Sequence, residues 1–204
     1  FNDGKVSGGD VKYLAQGNPD HQIGAGSGTK EDHGDSVYLG NSNARYLYGF
    51  NISAQWKGFD FSMMFQGVGK RKIMIDAAAI APFYTTYQMP WTIHRDYWTE
   101  DNQDAFWPRL YDYKTNNGGE NFNFRPSDKW VQDASYLRLK NITLGYTIPY
   151  VKKYVNSIRV YITGNDVWEH SDLLKVFDPE AGNNVGRNYY PFFRTWAFGV
   201  NITF

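Results

Sequence analysis

The sequence predicts an all-β fold, namely strands of a large antiparallel transmembrane β-barrel joined by tight turns and long loops. Several stretches alternate apolar and polar side chains, as strands do when one face meets lipid and the other meets water. The connections between these stretches are alternately short and long. Aromatic residues make up 18% of the 204 residues and 20 are glycine, although the mean hydropathy is −0.58. Such a composition suits amphipathic strands with polar loops.

Composition also limits the function. Lys plus Arg and Asp plus Glu both number 21, so no basic field favours nucleic acid as a partner. The chain has no cysteine, which excludes disulfides and thiolate metal sites. No apolar run approaches the roughly 18 residues of a membrane-spanning helix. Because the chain begins at Phe1 without Met or a signal peptide, we expect it to start inside a longer polypeptide or after a cleavage. A carbohydrate-binding β-sandwich has a similar composition and stays open at this point.

The first elements are a loop region and a hairpin. Residues 1–43 carry turn-forming Gly, Asp and Asn with little periodicity. Strict alternation then predicts a strand over 45–56, within a barrel portion that spans 44–204. Lys57-Gly58 predicts a tight turn, and the alternation resumes over 59–68.

A long loop and a third strand follow. Residues 69–133 are aromatic-rich and interrupted by four prolines, and a loop of this length usually has a function. Alternation over 135–147 predicts the next strand. Its first half runs in the opposite phase to its second half. We interpret the change as a β-bulge near Lys140, or as the point where the strand rises above the membrane.

The last elements repeat this arrangement. A short connection is predicted over 148–157, a strand over 158–165, a second long loop over 166–191 and a closing strand over 193–204. Short turns on one side and long loops on the other are typical of outer-membrane barrels, and a sandwich gives no reason for this asymmetry. Five strands cannot enclose a lumen, and open sheet edges are not tolerated in hydrocarbon. The chain therefore needs the remainder of a barrel as its partner.

Three triplets match the acceptor pattern for N-glycosylation: Asn51-Ile52-Ser53, Asn141-Ile142-Thr143 and Asn201-Ile202-Thr203. All three fall in predicted strands, with Asn and the hydroxyl residue on the polar face. We interpret them as polar lining of a barrel.

Four stretches resemble one family. The residues 133–149, DASYLRLKNITLGYTIP, strongly resemble the late-barrel signature of the SusC/RagA family of TonB-dependent transporters in Bacteroidetes. Three further stretches are similar to other parts of the same family: SNARYLYGFNISAQWKGFDFSMMFQG (42–67), YWTEDNQDAFWPRL (97–110) and FFRTWAFGVNITF (192–204). The four stretches span most of residues 42–204 in the family's order. The chain is identified on this basis as the C-terminal strands of a large barrel with long extracellular loops.

The resemblance implies a function and partners. Such transporters import oligosaccharides or peptides across the bacterial outer membrane, with a SusD-like surface lipoprotein over the mouth and TonB acting through an N-terminal part outside these residues. Loops 1–43, 69–133 and 166–191 would be extracellular, and turns 57–58 and 148–157 and the C-terminus periplasmic. The apolar face would meet the lipid bilayer. The resemblance also makes the last strand a signal for the barrel-assembly machinery, carried by Trp196, Phe198, Val200, Ile202 and Phe204.

No metal or cofactor is expected. Family members often carry a regularly spaced, Asp-rich segment like a calcium loop before the hairpin. Gly9-Asp10-Val11-Lys12-Tyr13 matches the start of that segment, but the carboxylate spacing that a hard cation needs is missing afterwards. Asp32, His33 and Asp35 are interpreted as a solvated loop.

The long loop 69–133 has the best claim to ligand contact. It offers flat aromatic rings for sugars or peptide side chains and charged donors for carbonyls or carboxylates: Trp91, His94, Arg95, Trp98, Trp107, Arg109 and Tyr111. Alternatively, this loop packs on its neighbours or on the lipoprotein. No catalytic motif is present, so we do not expect an enzyme. Two other functions stay open: a structural subunit of a larger outer-membrane complex, and a soluble carbohydrate-binding β-sandwich.

Overall fold

The structure, a computed structural model, describes residues 7–16, 23–84, 89–111, 122–152, 155–181 and 192–204. Its elements in chain order are β1 (Tyr46–Trp56), β2 (Phe59–Gly69), β3 (Lys72–Met74), α1 (Ala77–Ile80), two 3-10 turns (Thr92–Arg95 and Phe122–Phe124), β4 (Val131–Asp133), β5 (Tyr136–Lys152), β6 (Val155–Ser171) and β7 (Thr195–Thr203).

The dominant element is a five-stranded antiparallel sheet in the order β1-β2-β5-β6-β7. Every strand pairs with the next long strand along the chain, as in an up-and-down barrel. The sheet is not closed, because β1 and β7 form its two edges. The all-β prediction is confirmed. An open sheet is expected for a chain that supplies only part of a barrel.

One face of this sheet is continuously apolar. Its registers place Ala54, Phe61, Leu144, Ile162 and Phe198 in one row across all five strands. Leu144 is 48% exposed and Phe198 81% exposed. A second sheet packed on this face would bury such side chains. Within the described residues no second layer covers them, which argues against a β-sandwich.

The β1–β2 hairpin turns through Lys57 and Gly58, with φ angles of 45° and 87°. Two successive positive φ angles define the two-residue turn that matches the twist of a hairpin. Trp56 pairs directly with Phe59 on either side of it. The tight turn therefore lies where the sequence places it.

The predicted bulge at Lys140 is confirmed. Along β2, the consecutive residues Met64 and Phe65 pair with Asn141 and Leu139, so Lys140 is the extra residue. The pairing of β5 with β6 is irregular at the same point. Because side chains alternate along a strand, one extra residue exchanges the two faces. The opposite phase on the two sides of Lys140 follows from this.

The connection predicted over 148–157 is wrong in extent. Strand β5 continues to Lys152 and β6 starts at Val155, with Ile148 paired to Ile158 and Pro149 to Ser157. Pro149 predicts a strand end because it has no N–H for the ladder. The strand tolerates it next to a register irregularity, which lies between Pro149 and Lys152.

The start of the second long loop is also corrected, since β6 continues to Ser171. The alternation breaks at Asp166, whose φ of 52° is left-handed. Pairing resumes beyond it, with Trp168 opposite Leu139 and Glu169 opposite Arg138. The break in alternation at Asp166 therefore predicts a strand end, although the strand continues beyond this left-handed residue.

The chain divides into two compact units. The loop unit comprises the described residues within 7–40 and 74–131, and the sheet unit those within 41–73, 132–181 and 192–204. The predicted division at residues 43 and 44 differs, because much of the segment after β2 packs with the N-terminal segment. That segment is less irregular than the sequence predicts, since β3 and β4 pair into a small sheet and Asp76 caps α1. No helix among the described residues is long and apolar enough to span a membrane.

Candidate functional site

The loop unit contains an open cleft of about 590 Å³. Its walls come from two segments distant in sequence and from the approach to β4. They are lined by Gly9, Asp10, Val11, Lys12, Trp98, Gln103, Ala105, Phe106, Trp107, Pro108, Asp128 and Lys129. Small-molecule sites commonly have this volume and this mixture of aromatic and charged groups.

A cluster of stacked rings forms the support of the cleft. Trp107 is 3% exposed and stacks on Trp130 at 5.6 Å between ring centroids. Phe124 also stacks on Trp130, at 5.2 Å. The Trp130 indole N–H donates to the Asn123 carbonyl at 3.0 Å. Trp107 is therefore largely buried, although it contributes to the lining of the cleft, and its predicted contact with a ligand stays a prediction.

His94 also belongs to this core. It is 2% exposed and meets Trp107 edge-on at 4.6 Å. Its Nδ1 accepts the Trp91 N–H at 2.8 Å, so Nε2 carries the proton and donates to the Ile80 carbonyl at 2.6 Å. Both ring nitrogens are occupied within the fold. The structure thus assigns His94 to packing rather than to the ligand contact that the sequence predicts.

Trp98 lines the cleft and is held by its neighbours. The Arg109 guanidinium lies 4.6 Å from the centroid of its ring. Gly9 lies against the same indole, and a Cβ there would come within 2.5 Å of the ring. The φ of Gly9 is +88°, so both space and backbone require glycine. The Arg109 N–H donates to the Gly9 carbonyl at 2.9 Å and closes this contact.

The remaining predicted ligand residues are not brought together. The Tyr111 hydroxyl is 3.1 Å from the Ser7 hydroxyl. Trp91 precedes the first 3-10 turn, with its ring 6.4 Å from that of His94. Arg95 ends the same turn and is exposed. None of the three lines the cleft.

Sequence reasoning missed Lys129. Its Nζ donates to the Phe106 carbonyl at 2.6 Å and lies 4.7 Å from the Phe106 ring centroid and 5.4 Å from that of Trp130. Burial lowers the pKa of this ammonium, and Asp128 acts in the opposite direction. A lysine before a tryptophan carries no sequence signal, because only the fold places it over two rings.

Asn123 is the second residue missed. It is buried, its Oδ1 accepts the Val11 N–H at 2.8 Å, and its Nδ2 donates to Asp10 Oδ1 at 2.9 Å. Asn123 therefore holds Asp10 and Val11 in place, and these residues form one wall of the cleft.

The predicted solvated loop around Asp32 is organised by its carboxylates. Asp32 Oδ2 accepts the Ser27 N–H at 2.8 Å, and Asp35 accepts the N–H groups of Gln16 and Gly24 at 2.6 and 2.8 Å. Among the residues described, no three His, Asp or Glu side chains are placed to hold a metal ion.

The sheet unit contributes a polar face opposite its apolar one. Asn141 Nδ2 donates to Thr163 Oγ1 at 3.0 Å and to Asn165 Oδ1 at 2.9 Å. Thr143 and Thr163 hydroxyls are 2.8 Å apart, and Asn165 Nδ2 donates to Thr195 Oγ1 at 3.3 Å. We call this the Asn/Thr ladder. It joins β5, β6 and β7 with neutral hydrogen bonds.

A charged cluster lies on the same face beyond the bulge. Arg138 is 2% exposed and forms ion pairs with Glu169, with Asp178 at 2.7 Å and with Glu180 at 3.0 Å. Lys140 adds contacts to Asp166 at 2.8 Å and Glu180 at 3.0 Å. The cluster fastens the segment after β6 to β5.

The residues predicted as an assembly signal lie at the end of the sheet. Strand β7 pairs only with β6 in the described sheet. Four of the five share its apolar face, opposite Gly164, Ile162, Val160 and Ile158: Trp196, Phe198, Val200 and Ile202. Phe204 follows the strand and is exposed.

Comparisons with known proteins agree with this architecture. No family model matches the chain. It is 29% identical over 93% of its length to TonB-dependent receptor P26 of Formosa agariphila, and 25% identical over 83% to TonB-dependent receptor P3 of the same organism. These matches cover 21% and 17% of the two relatives. The chain thus spans about a fifth of the length of the curated relatives it matches.

Solved structures of one system match the fold. The RagAB peptide importer in its closed-closed state gives a TM-score of 0.62 at 25% identity, over 82% of this chain and 18% of that one. A structure of the RagAB peptide transporter gives 0.57 at 27%, over 76% and 17%. The open-open state gives 0.60 at 23%, over 83% and 19%. The relatives are named as receptors and importers, not as enzymes.

Proposed function

Because the chain is a segment of a SusC/RagA-type TonB-dependent transporter, we propose that it supplies wall strands and surface loops to an outer-membrane importer of nutrients. The observation that carries this proposal is the amphipathic sheet. Its exposed apolar face runs across all five strands, while the Asn/Thr ladder and ion pairs occupy the other face. Lipid outside and water inside require this division.

The apolar face then meets the bilayer and the polar face lines the lumen. The N-terminal segment before β1, the segment between β2 and β5 and the segment between β6 and β7 are extracellular in this proposal, and the tight turns and the C-terminus are periplasmic. This assignment is supported by the alternation of short and long connections, since outer-membrane barrels have short periplasmic turns.

The solute would be an oligosaccharide or a peptide. RagAB is described as a peptide importer, which supports the second class, and the aromatic and charged lining of the cleft suits both. A SusD-like surface lipoprotein and TonB are the partners we propose, TonB acting through a part of the transporter other than this segment.

We further propose that β7 is read by the barrel-assembly machinery. Its apolar stripe of Trp196, Phe198, Val200 and Ile202 continues to Phe204, and one edge of the strand is unpaired in the described sheet. A strand with an unpaired edge has free N–H and C=O groups that can form hydrogen bonds with a strand of another sheet.

The test is fractionation of the native protein with mass identification of co-purifying chains. We expect outer-membrane localisation, extraction only with detergent, and a surface lipoprotein among the partners. Uptake of labelled oligosaccharide or peptide should fall when the gene or TonB is deleted. Membrane location without any uptake defect, inside a larger assembly, would favour a structural subunit. A soluble, monodisperse protein in plain buffer would refute the barrel.

A further inference from the structure

Lys129 is unlike a surface lysine in three respects. Its Nζ lies over the Phe106 and Trp130 rings at 4.7 and 5.4 Å. One N–H bond is directed at the Phe106 carbonyl at 2.6 Å. The other two have no acceptor among the residues that the structure describes. An ammonium held in this way offers donors in a fixed place, at a lower conformational cost than a mobile side chain.

The negative charges of the cleft compensate Lys129 only in part. The Asp10 carboxylate accepts hydrogen bonds from the Ser7 N–H at 2.9 Å and from Asn123 Nδ2 at 2.9 Å. Asp128, the neighbour of Lys129 in the chain, is exposed at the rim. The Lys129 ammonium donates to a neutral carbonyl and forms no ion pair with a carboxylate of the described residues, and its burial lowers its pKa although Asp128 acts in the opposite direction. A bound anion would supply the missing charge.

An apolar surface adjoins this cation. The Phe106 ring is 39% exposed, while Trp107 beneath it is buried. Phe106 meets Trp107 edge-on at 5.2 Å, which fixes the orientation of its ring. A ligand anion at Lys129 would therefore bring its nearest carbon skeleton onto Phe106.

We propose that this cleft binds a carboxylate-bearing solute, with the Lys129 ammonium contacting the carboxylate and the Phe106 ring contacting the adjacent carbon skeleton. The carboxylate could belong to a uronic acid of an oligosaccharide or to the C-terminus of a peptide, and the two share this chemistry. The inference concerns binding at the loop unit and does not require transport.

The experiment is ligand-observed NMR titration of the intact, detergent-purified transporter with two matched pairs. One pair is trigalacturonate and its methyl ester, the other N-acetyl-alanyl-phenylalanine and its C-terminal amide. In at least one pair the acid should bind about tenfold more tightly than its neutral partner, as expected for one charge-assisted hydrogen bond. The pair with the larger ratio identifies the source of the carboxylate.

Substitutions locate the effect. Lys129→Gln should reduce the acid-to-neutral ratio to about one, Lys129→Arg should retain it, and Asp128→Asn should raise the affinity of the acid. Lys30→Gln, at an exposed position of the loop unit, is the matched control. Amide exchange of Trp107 in each variant reports whether the loop unit is still folded. Equal binding of acid and neutral partner in both pairs, or an unchanged ratio in folded Lys129→Gln, would overturn the proposal. This experiment measures binding and not uptake. A failure of the transport proposal would be detected in the uptake assay and would not change the binding result.

Discussion

Asp60 and Arg159 form a two-point ion pair that passes over the strand between them. Arg159 Nε donates to Asp60 Oδ1 at 2.8 Å and Nη2 to Oδ2 at 2.5 Å, although Asp60 lies on β2 and Arg159 on β6. The residue of β5 under this bridge is Gly145. A Cβ there would come within 2.5 Å of Asp60 Oδ1 and 2.7 Å of Arg159 Nη2. Because Gly145 has no side chain, the Asp60–Arg159 ion pair can cross β5 and connect β2 to β6.

Gly145→Ala should uncouple Asp60 from Arg159. A methyl group on β5 displaces both side chains, and partly exposed pairs of this kind contribute about 0.5 to 1 kcal/mol. A double-mutant cycle with Asp60→Asn and Arg159→Gln, measured on the urea unfolding of the barrel, should give this coupling when glycine is retained at position 145. The same cycle in the Gly145→Ala background should give almost none. A coupling energy unaffected by the methyl group would contradict the geometry.

Thr163→Val should weaken the Asn/Thr ladder. The hydroxyl of Thr163 contacts Asn141 Nδ2 at 3.0 Å and Thr143 Oγ1 at 2.8 Å. Valine keeps the branched shape but leaves both groups without this partner, at a cost of about 1 kcal/mol in the free energy of unfolding. Thr147→Val on β5 is the control, because the Thr147 side chain makes no hydrogen bond to a described residue. Similar losses in the two variants would count against a specific ladder.

Arg138→Met should be far more harmful than Lys72→Met. Removing Arg138 leaves Glu169, Asp178 and Glu180 without their shared cation, with side-chain exposures of only 27%, 14% and 16%. Breaking a buried pair from one side costs about 3 to 5 kcal/mol. The Lys72–Asp133 pair is 43% and 35% exposed and should contribute at most about 1 kcal/mol. Limited proteolysis after β6 and urea unfolding would measure the difference, and equal effects would show that the cluster is not buried.

His94→Ala should destabilise the loop unit locally. It removes the acceptor of the Trp91 N–H and the donor to the Ile80 carbonyl, and it leaves a cavity beside Trp107. We expect a loss of about 2 to 4 kcal/mol in local opening free energy, measured by amide exchange of residues 76–96. His33→Ala, at an exposed position, should have little effect. Unchanged exchange in His94→Ala would return this residue to the candidates for ligand contact.

Acid should loosen the turn closed by Asp96. Its carboxylate accepts the Phe106 N–H at 3.0 Å and an Asn102 Nδ2–H at 3.1 Å, and these bonds, the first most strongly, lower its pKa. Since the folded pKa is below the unfolded value of about 4, the stabilisation is present above pH 4 and is lost as pH falls through the folded pKa. Amide exchange of Phe106, corrected for the intrinsic rate, should accelerate at acid pH. The acceleration should vanish in Asp96→Asn and persist in Asp104→Asn, an exposed control on the same loop.

The sheet was readable from the sequence because its signal is local. A strand between lipid and water must alternate, so β1 and β2 follow the periodicity closely, and the phase change exposes the bulge at Lys140. The ends of β5 and β6 were not readable. Pro149 and the left-handed Asp166 normally end strands, and only the pairing with a neighbour shows that these strands continue.

The candidate site was much less readable. Composition pointed to the aromatic loop, but it could not separate Trp107 and His94, which are buried, from Trp98 and Phe106, which are more exposed. That division depends on contacts between Gly9, Asn123 and the loop, which are far apart in sequence. Lys129 carried no signal for the same reason.

The bulge at Lys140 has a consequence for how this wall can change in evolution. One added or lost residue elsewhere in β5 would turn part of the strand inside out, placing Asn141 or Arg138 toward lipid. At Lys140 the strand already contains an unmatched residue, so a single deletion there would restore even pairing with β2 and leave the other residues of β5 on their present faces. Lys140 is therefore the position in β5 where the strand can lose a residue without exchanging its faces. We expect length variation among relatives to fall in the loops and, within β5, at Lys140.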